Sequence, residues 1–313
     1  MEKTLKGENF LNRYRFTGIL TTRSPLHIGT GEESESIYSN QEHERLKNEL
    51  GKVPQVSTII KDYRGKPLIP GSTLRGVMRH WLLSVLSGFD ASWAATRDYL
   101  DDAWTELNQA DQVKAVKESF SWLELLFGTP FHEGKIEIWD ATCQTTSINA
   151  TDTLLGWNPK SLTYIDTSVA INPKTGTAIE NLLYKTEIVP PGVEFEFNLV
   201  GQNLSEFEIG MVLLALQGFN STIYPIRVGA RSGRGYGLMQ FTAGTVYGLD
   251  TKNIREWITS TVRSFGKERA ADESTDGRDA AGYFALPELE KNDQERLIQT
   301  AKNKFLEQAG SHV

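Results

Sequence analysis

Hydrophobic positions along this chain of 313 residues recur with two different periods. Alternation of apolar and polar residues, which is typical of strands with one buried face, predicts strands at 13–23, 134–143, 192–201 and 236–242. Helical spacing predicts amphipathic helices at 72–87 and 205–218. Strand, helix and strand therefore follow one another twice, which predicts an α+β, ferredoxin-like (RRM-type) core within residues 1–249.

Three further segments lie outside this repeated order. A helical insertion spans about 90–127 and contains two predicted helices, the second with its apolar face running from Val113 to Leu126. A protruding hairpin spans about 165–187, because two extended arms flank the turn sequence Asn-Pro-Lys-Thr-Gly. Residues 250–313 form a helical C-terminal extension, in which the charged stretch at about 266–282 predicts a disordered loop.

Composition indicates a globular protein of the cytoplasm. Hydrophobic residues make up 39% of the chain, which is enough for a sizeable core. Cys143 is the one cysteine, so we expect no internal disulfide and no metal site built from cysteines. The N-terminal residues lack the apolar run of a signal peptide. The longest apolar stretch, around 209–216, is far shorter than the ~20 residues of a membrane span, so no membrane contact is expected.

The net charge of −7 is unevenly distributed along the chain. Acidic residues crowd the segments 32–49 and 90–140, whereas basic residues gather at 13–23, 61–80 and 227–234. The net charge argues against a protein that is surrounded by nucleic acid on all sides. It remains compatible with a local basic surface that holds RNA on one face.

The glycine-rich segment 226–238 is the strongest chemical signal in the chain. It contains no acidic residue and interleaves small, basic and aromatic side chains: Gly229, Gly233, Gly235, Gly237, Arg227, Arg231, Arg234 and Tyr236. Glycine lets the backbone approach a ligand closely, arginine matches phosphate oxygens, and tyrosine stacks on bases. The segment therefore predicts a loop along a nucleic-acid backbone, with a simple turn carrying solvated arginines as the alternative.

A second basic segment begins at Pro70 and Gly71, which form a turn signal. Ser72 or Thr73 fits the N-cap of the helix that follows. The buried face of this helix consists of Leu74, Val77, Met78, Trp81 and Leu82, and Arg75 and Arg79 lie one turn apart on another face. Free N–H groups and aligned arginines predict an anion site, whereas the alternative is an ordinary capped helix with a solvated basic edge.

Five motifs occur in an order that resembles a known family. They are Pro-Leu-His-Ile-Gly-Thr-Gly at 25–31, Ile-Pro-Gly-Ser-Thr-Leu-Arg-Gly at 69–76, Leu-Phe-Gly at 126–128, Glu-Ile-Val-Pro-Pro-Gly-Val-Glu-Phe at 187–195 and Gly-Ala-Arg-Ser-Gly-Arg-Gly-Tyr-Gly at 229–237. Together they resemble the RAMP proteins of type III CRISPR effector complexes. More narrowly, they are similar to the backbone subunits that polymerise along the guide RNA. The resemblance covers roughly residues 13–241.

This resemblance implies an antiviral ribonucleoprotein subunit whose partners are guide RNA (crRNA), complementary target RNA and other RAMP subunits. The residues that we predict to contact RNA are His27, Gly29, Gly31, Ser72, Arg75, Arg79, Arg227, Arg231, Arg234 and Tyr236. The hairpin would act as the family's thumb, inserting side chains between bases. Its relevant residues are Val169, Ile171, Thr177, Ala178 and Ile179, which could equally pack on a neighbouring subunit. RNA binding of this kind requires no cofactor.

Active members of the family cut target RNA with an aspartate in the first loop. Here the expected position falls near Val56 and Ser57, neither of which is acidic. The remaining candidates are Asp62, which matches a turn aspartate, and Glu49, which lies in the acidic loop. We therefore expect a subunit without catalytic activity. If cleavage occurred, it would be that of an endoribonuclease and would involve a divalent metal.

The sequence is also compatible with two alternative functions. A guide-RNA-processing endoribonuclease of the same superfamily would use a histidine as general acid or base, and the chain offers His27 and His80. A scaffold subunit that touches only protein would need neither histidine. The Ile-Pro-Gly-Ser helix and the long hairpin favour the backbone role over the processing enzyme. A stable monomer that forms no filament with RNA would favour the scaffold.

Overall fold

The computed structural model describes residues 3–35, 38, 40–51, 53–94, 107–148, 156–264 and 286–310. The strands are β1 (Asn12–Thr22), β2 (Gly29–Ser34), β3 (Val56–Ile59), β4 (Leu68–Ile69), β5 (Ile136–Ile138), β6 (Ala141–Thr142), β7 (Tyr164–Ile171), β8 (Ala178–Ile188), β9 (Glu194–Gln202) and β10 (Met239–Asp250). The helices are α1 (Asn40–Leu50), α2 (Gly71–Ser87), α3 (Ala91–Ala94), α4 (Gln109–Ser119), α5 (Trp122–Phe127), α6 (Glu206–Gly218), α7 (Ile254–Ser264) and α8 (Lys291–Gly310). None of the helices in these described ranges is long and apolar enough to cross a membrane.

The central sheet has the strand order β10-β1-β9-β5, and all its neighbouring strands are antiparallel. In chain order, β1 leads to α2 and β5, and β9 leads to α6 and β10. Two strand–helix–strand units that share one antiparallel sheet in this strand order form the ferredoxin-like arrangement. The predicted α+β, RRM-type core is therefore confirmed.

The core lies between this sheet and the two helices. Alternate residues of β1, including Phe16 and Leu20, are buried on the helix side, and Phe197 of β9 joins them. Met78 of α2 and Met211 of α6 fill the same cluster and are fully buried. The apolar positions that alternate along β1 and those that recur at helical spacing in α2 thus contribute to the same hydrophobic core.

The predicted hairpin is confirmed as β7 and β8, which pair as antiparallel strands. It forms a second sheet in the order β2-β3-β8-β7, in which β3 and β8 are parallel. Glu187, fully buried at the base of β8, ties this sheet together. Its Oε1 forms an ion pair with Lys61 Nζ at 2.6 Å and accepts a hydrogen bond from Thr163 Oγ1 at 2.8 Å. Its Oε2 accepts one from the backbone N–H of Ile59 at 3.1 Å, so one carboxylate fixes the hairpin base.

The first turn of α2 differs from the prediction. The N-cap is Pro70, which offers no side-chain hydrogen bond, so the predicted cap at Ser72 or Thr73 is wrong. Gly71 is pressed against the turn after β5, where an added Cβ would lie 2.1 Å from a backbone oxygen. The Oδ1 atom of Asp140 then accepts a hydrogen bond from Gly71 N at 2.8 Å. A carboxylate from a distant segment therefore stabilises this helix end.

Several other boundaries also needed correction. The second predicted helix of the insertion is two helices, because the Ser121–Glu124 capping box starts α5 after an extended Phe120. The predicted strand 134–143 is divided into β5 and β6. The strand predicted at 236–242 begins later and runs on to Asp250, since β1 pairs with it along its whole length.

The C-terminal extension packs on the core through α8. The ring of Phe305 stacks on Phe207 of α6 with 5.4 Å between ring centroids. The helical extension predicted for residues 250–313 contains α7 and α8. The loop predicted at 266–282 lies outside the described residues.

We predict that Leu74→Ala lowers the free energy of unfolding by about 2–5 kcal/mol, because Leu74 is fully buried and the truncation leaves a cavity. Arg79→Ala on the same helix should change it by less than about 0.5 kcal/mol. Urea denaturation of both variants provides the measurement. Greater destabilisation by Arg79→Ala would mean that the opposite face of α2 supports the core.

Candidate nucleic-acid interface

The glycine-rich loop is a compact turn with several backbone positions in the left-handed region. A short 3-10 helix at Ser232–Arg234 lies between Arg231, with φ of 63°, and Gly235, with φ of 87°. A non-glycine residue with positive φ costs roughly 1–3 kcal/mol and persists where its surroundings hold it. The loop therefore presents Arg231 in a constrained conformation, which its contacts must maintain.

The loop packs on the first motif of the chain, residues 25–31. The backbone N–H of Ala230 donates to the carbonyl of His27 at 2.9 Å, and Gly237 N donates to the carbonyl of Pro25 at 2.8 Å. Gly229 makes the approach possible, since a Cβ at this position would lie 2.3 Å from the oxygen of His27. Two motifs about two hundred residues apart thus form one surface.

Arg227 has a structural role within the loop. Its Nη1 donates to the carbonyls of Gly235 at 3.1 Å and Tyr236 at 3.2 Å, so its guanidinium closes the two ends of the loop onto each other. Arg234 is different, because its side chain is exposed and has no hydrogen-bond acceptor among the described residues. Of these two arginines, Arg234 therefore has the donors that remain available to an anion.

Asp166 of β7 connects the loop to the hairpin. Tyr236 Oη donates to Asp166 Oδ2 at 2.6 Å, and Arg231 Nη1 lies 4.0 Å from the same oxygen. Burial and then this hydrogen bond to the carboxylate raise the pKa of Tyr236 to about 12. Arg231 Nη1 is shielded from solvent and has no hydrogen-bond acceptor among the described residues. Sequence reasoning missed Asp166, because nothing in the local pattern around it signals a partner seventy residues away.

His27 faces inward, although the sequence placed it among the RNA contacts. Only 5% of its surface is exposed, and its Nδ1 lies 2.8 Å from the carbonyl oxygen of Glu187. A carbonyl can only accept, so this contact places the proton on Nδ1. Burial, which is the largest effect, lowers the pKa of His27 and favours the neutral ring. The other side of the ring lies against Gly29, whereas Gly31 is exposed.

Arg75 and Arg79 lie apart from the glycine-rich loop. Arg75 donates to the carbonyl of Ile136 at 3.1 Å and covers the ring of Phe127, so it packs against β5 and α5. Its pKa is lowered, first by burial and then by the charge of Arg79. Both arginines line a groove of about 480 Å³ together with the turn that contains His132. The arginines that the sequence predicts as RNA contacts therefore lie in two places, some on the glycine-rich loop and the others at the outer edge of the sheet.

The N-terminus of α2 and the hairpin tip complete the predicted set. Ser72 is exposed, but the neighbouring backbone N–H group, that of Gly71, already donates a hydrogen bond to Asp140. On the hairpin, Val169 is 44% exposed and Thr177 lies exposed at the turn. The side chains of Ile171, Ala178 and Ile179 lie outside the described part of the molecule.

Both candidate carboxylates for cleavage are engaged locally. Asp62 Oδ1 accepts hydrogen bonds from the backbone N–H groups of Arg64 and Lys66, each at 2.9 Å, which is a turn-stabilising role. Glu49 pairs with Arg45 on the surface of α1 at 3.0 Å. Within the described ranges, no group of three or more histidine, cysteine, aspartate or glutamate residues is placed to hold a metal ion.

We predict that Tyr236 stays protonated at pH values at which ordinary tyrosines ionise near 10.0. Because its folded pKa is raised, the associated stability is present below about pH 10 and is lost as the pH rises towards 12. Asp166→Asn should lower the pKa of Tyr236, because it removes the negative acceptor. NMR titration of ring-labelled tyrosines, with Tyr236→Phe for assignment, measures this. Ionisation of Tyr236 together with exposed tyrosines would contradict the contact.

Comparison with known proteins agrees with the fold and the motifs. No curated protein matches the sequence. The family model of the RAMP superfamily matches residues 19–240, which is more than two thirds of the chain and includes α2, the hairpin and the glycine-rich loop. The chain therefore belongs to the RAMP superfamily, a family of CRISPR-associated RNA-binding proteins.

Proposed function

We propose that this protein is a guide-RNA-binding backbone subunit of a type III CRISPR ribonucleoprotein and helps to display the guide for pairing with target RNA. The observation that carries the proposal is the surface formed by residues 25–31, the glycine-rich loop and the base of the hairpin. This surface combines backbone that a ligand can approach, the exposed side chain of Arg234 and the hydroxyl group of Tyr236. These groups suit a ribose-phosphate backbone, which is contacted without base recognition.

Arg231 and Arg234 would bind phosphate groups of the guide. Arg234 is exposed. The Nη1 atom of Arg231 lies 4.0 Å from Asp166 and has no hydrogen-bond acceptor among the described residues. A phosphate near Arg231 would compete with the Asp166 carboxylate, since both present oxygens to the same guanidinium. Asp166 therefore holds Arg231 near the hairpin base until RNA replaces the weak ion pair.

The hairpin would contribute the family's thumb. Its base is rigid because Glu187 binds Lys61, Thr163 and the backbone of Ile59 simultaneously. Its distal part carries exposed Val169. Such an apolar side chain inserts between bases or packs on a neighbouring RAMP subunit more favourably than it contacts water. The anchored base and the exposed distal part fit an element that separates RNA bases at intervals.

The endoribonuclease alternative has less support from the geometry. A general acid or base must reach the proton that it transfers, and His27 is buried with its Nδ1 committed to a backbone carbonyl. His80 is exposed on α2, on the helix that carries Arg79 rather than beside the glycine-rich loop. We accordingly propose a subunit that binds RNA without a cofactor and leaves cleavage to other components.

We predict that Arg231→Ala combined with Arg234→Ala weakens guide-RNA binding by a similar factor for all guide sequences. Each lost phosphate contact should also reduce the slope of log affinity against log salt by about 0.7 to 0.9. Filter binding or fluorescence anisotropy over a salt series measures both quantities.

The matched control for this double variant is Arg45→Ala with Lys114→Ala. It removes the same charge, but from residues paired with Glu49 on α1 and Glu118 on α4. The control should retain most of the affinity and the full salt slope. Equal losses in the two double variants would remove the glycine-rich loop from the RNA surface.

We also predict that Asp62→Ala and Glu49→Ala leave the target-RNA cleavage pattern of the assembled complex intact. The expected acidic position falls on Val56 and Ser57 in β3, and neither side chain can supply a carboxylate. Sequencing of cleavage products from complexes that contain each variant provides the measurement. Disappearance of one specific cut, while target RNA remains bound, would make the replaced carboxylate a catalytic residue.

A further inference from the structure

The central sheet has a second face, opposite α2 and α6, and one row of paired residues crosses all four of its strands. Tyr247 of β10, Arg15 of β1, Val200 of β9 and Glu137 of β5 stand side by side in the strand register. Neighbouring residues of a strand point to opposite faces, so the burial of Phe16 on the helix side turns Arg15 outward.

Two aromatic rings hold the Arg15 side chain in place. Its guanidinium carbon lies 4.2 Å from the ring centroid of Tyr247 and 5.9 Å from that of Trp139. Trp139 directly follows β5 and is 45% exposed. The attraction between a cation and these rings fixes a long side chain in advance, which lowers the entropy cost of binding a ligand to it.

Arg15 nevertheless has unused donors. Among the residues that the structure describes, its guanidinium forms no hydrogen bond or ion pair, and its Nε is shielded from solvent without an acceptor. Arg13, two residues earlier on the same face, donates to Gln202 at 2.8 Å and lies 3.6 Å from Glu137. Arg15 is thus a cation held by two rings and without a counter-charge in the described part of the chain, which is the chemistry of an anion site.

We infer that this face binds single-stranded RNA, with a phosphate at Arg15 and a neighbouring base stacked on the exposed Trp139 ring. The inference rests on the proposed RNA-binding function but concerns a second surface. Thr22, which is close to the glycine-rich loop, lies seven positions after Arg15 in β1, and this corresponds to roughly 23 Å along the strand. A nucleotide uses both features of the face, because it carries a negative charge and a flat ring.

An acidic segment of another protein fits the face less well. It would neutralise Arg15 but place no ring against the exposed part of the Trp139 indole. The carboxylate in the same row, Glu137, is shared between Lys6 at 2.8 Å and Arg13 at 3.6 Å, so its charge is largely compensated before RNA arrives. Stacking on Trp139 also predicts binding with little sequence preference.

The test uses the full chain carrying Arg231→Ala and Arg234→Ala, so that the glycine-rich loop contributes least. Fluorescence anisotropy compares a uridine octamer with an abasic octamer of the same length. Arg15→Ala in this background should weaken binding of the uridine octamer about fivefold or more, and Arg13→Ala, which removes the same charge from the same face, should have a clearly smaller effect. Trp139→Ala should weaken the uridine octamer about fivefold and leave the abasic octamer unchanged.

Trp139→Phe keeps an aromatic face and should recover most of the lost affinity, which distinguishes a stacking role from misfolding. Equal effects of Arg15→Ala and Arg13→Ala, or equal losses of both octamers on Trp139→Ala, would overturn the inference. So would Arg15-dependent binding of a polyglutamate peptide together with RNA binding that is independent of Arg15. If the loop variant bound no octamer at all, the sheet surface would be refuted while the proposed role of the loop remained.

Discussion

His27 is the residue on which three distant segments of the chain converge, and the shape of the proposed RNA surface depends on it. Its carbonyl accepts a hydrogen bond from Ala230 of the glycine-rich loop, and its Nδ1 contacts the carbonyl of Glu187 at the hairpin base. The buried carboxylate of Glu187 then fixes Lys61 and Thr163. A buried carboxylate requires such partners, since leaving it unpaired in the interior would be costly. The junction therefore holds loop and hairpin in one fixed relation.

This junction also explains how an acidic protein offers a basic surface. The close approach of Gly229 to His27 places the 3-10 turn at the surface, so that Arg234 extends into solvent. Arg231 is held in a left-handed conformation, and its ion pair with Asp166 is weak because the two side chains lie 4.0 Å apart. The net charge of −7 is then of little consequence locally, because binding depends on the few charges within about a Debye length of the ligand.

Much of the fold follows from patterns that are local in sequence. The period-two alternation of β1, the helical spacing of α2 and the Ser205–Glu208 capping box each specify an element without reference to the rest of the chain. The order of these elements then leads to the ferredoxin-like arrangement. What the sequence could not predict are contacts between distant residues. Asp140 caps α2 from another segment, and Asp166 reaches Tyr236 seventy residues away.

The same limit applies to the candidate site. Glycine spacing indicated a loop whose backbone can approach a ligand closely. In the structure the close approach that glycine allows is that of Gly229 to His27. The direction of a side chain is set by tertiary packing, however. His27 therefore faces the interior, and Arg227 closes its own loop. Arg75 and Arg79 line a separate groove at the outer edge of the sheet. A basic residue in a motif thus indicates chemistry, and only the fold decides whether its donors remain available.

The central claim is that guide RNA lies against the junction of the glycine-rich loop and the hairpin base. Hydrogen–deuterium exchange of the full chain, with and without guide RNA, tests it most directly. We predict slower exchange in residues 226–238 and at the base of β7 and β8, with little change in helices α1 and α4. Unchanged exchange in 226–238, with protection confined to other segments, would contradict it.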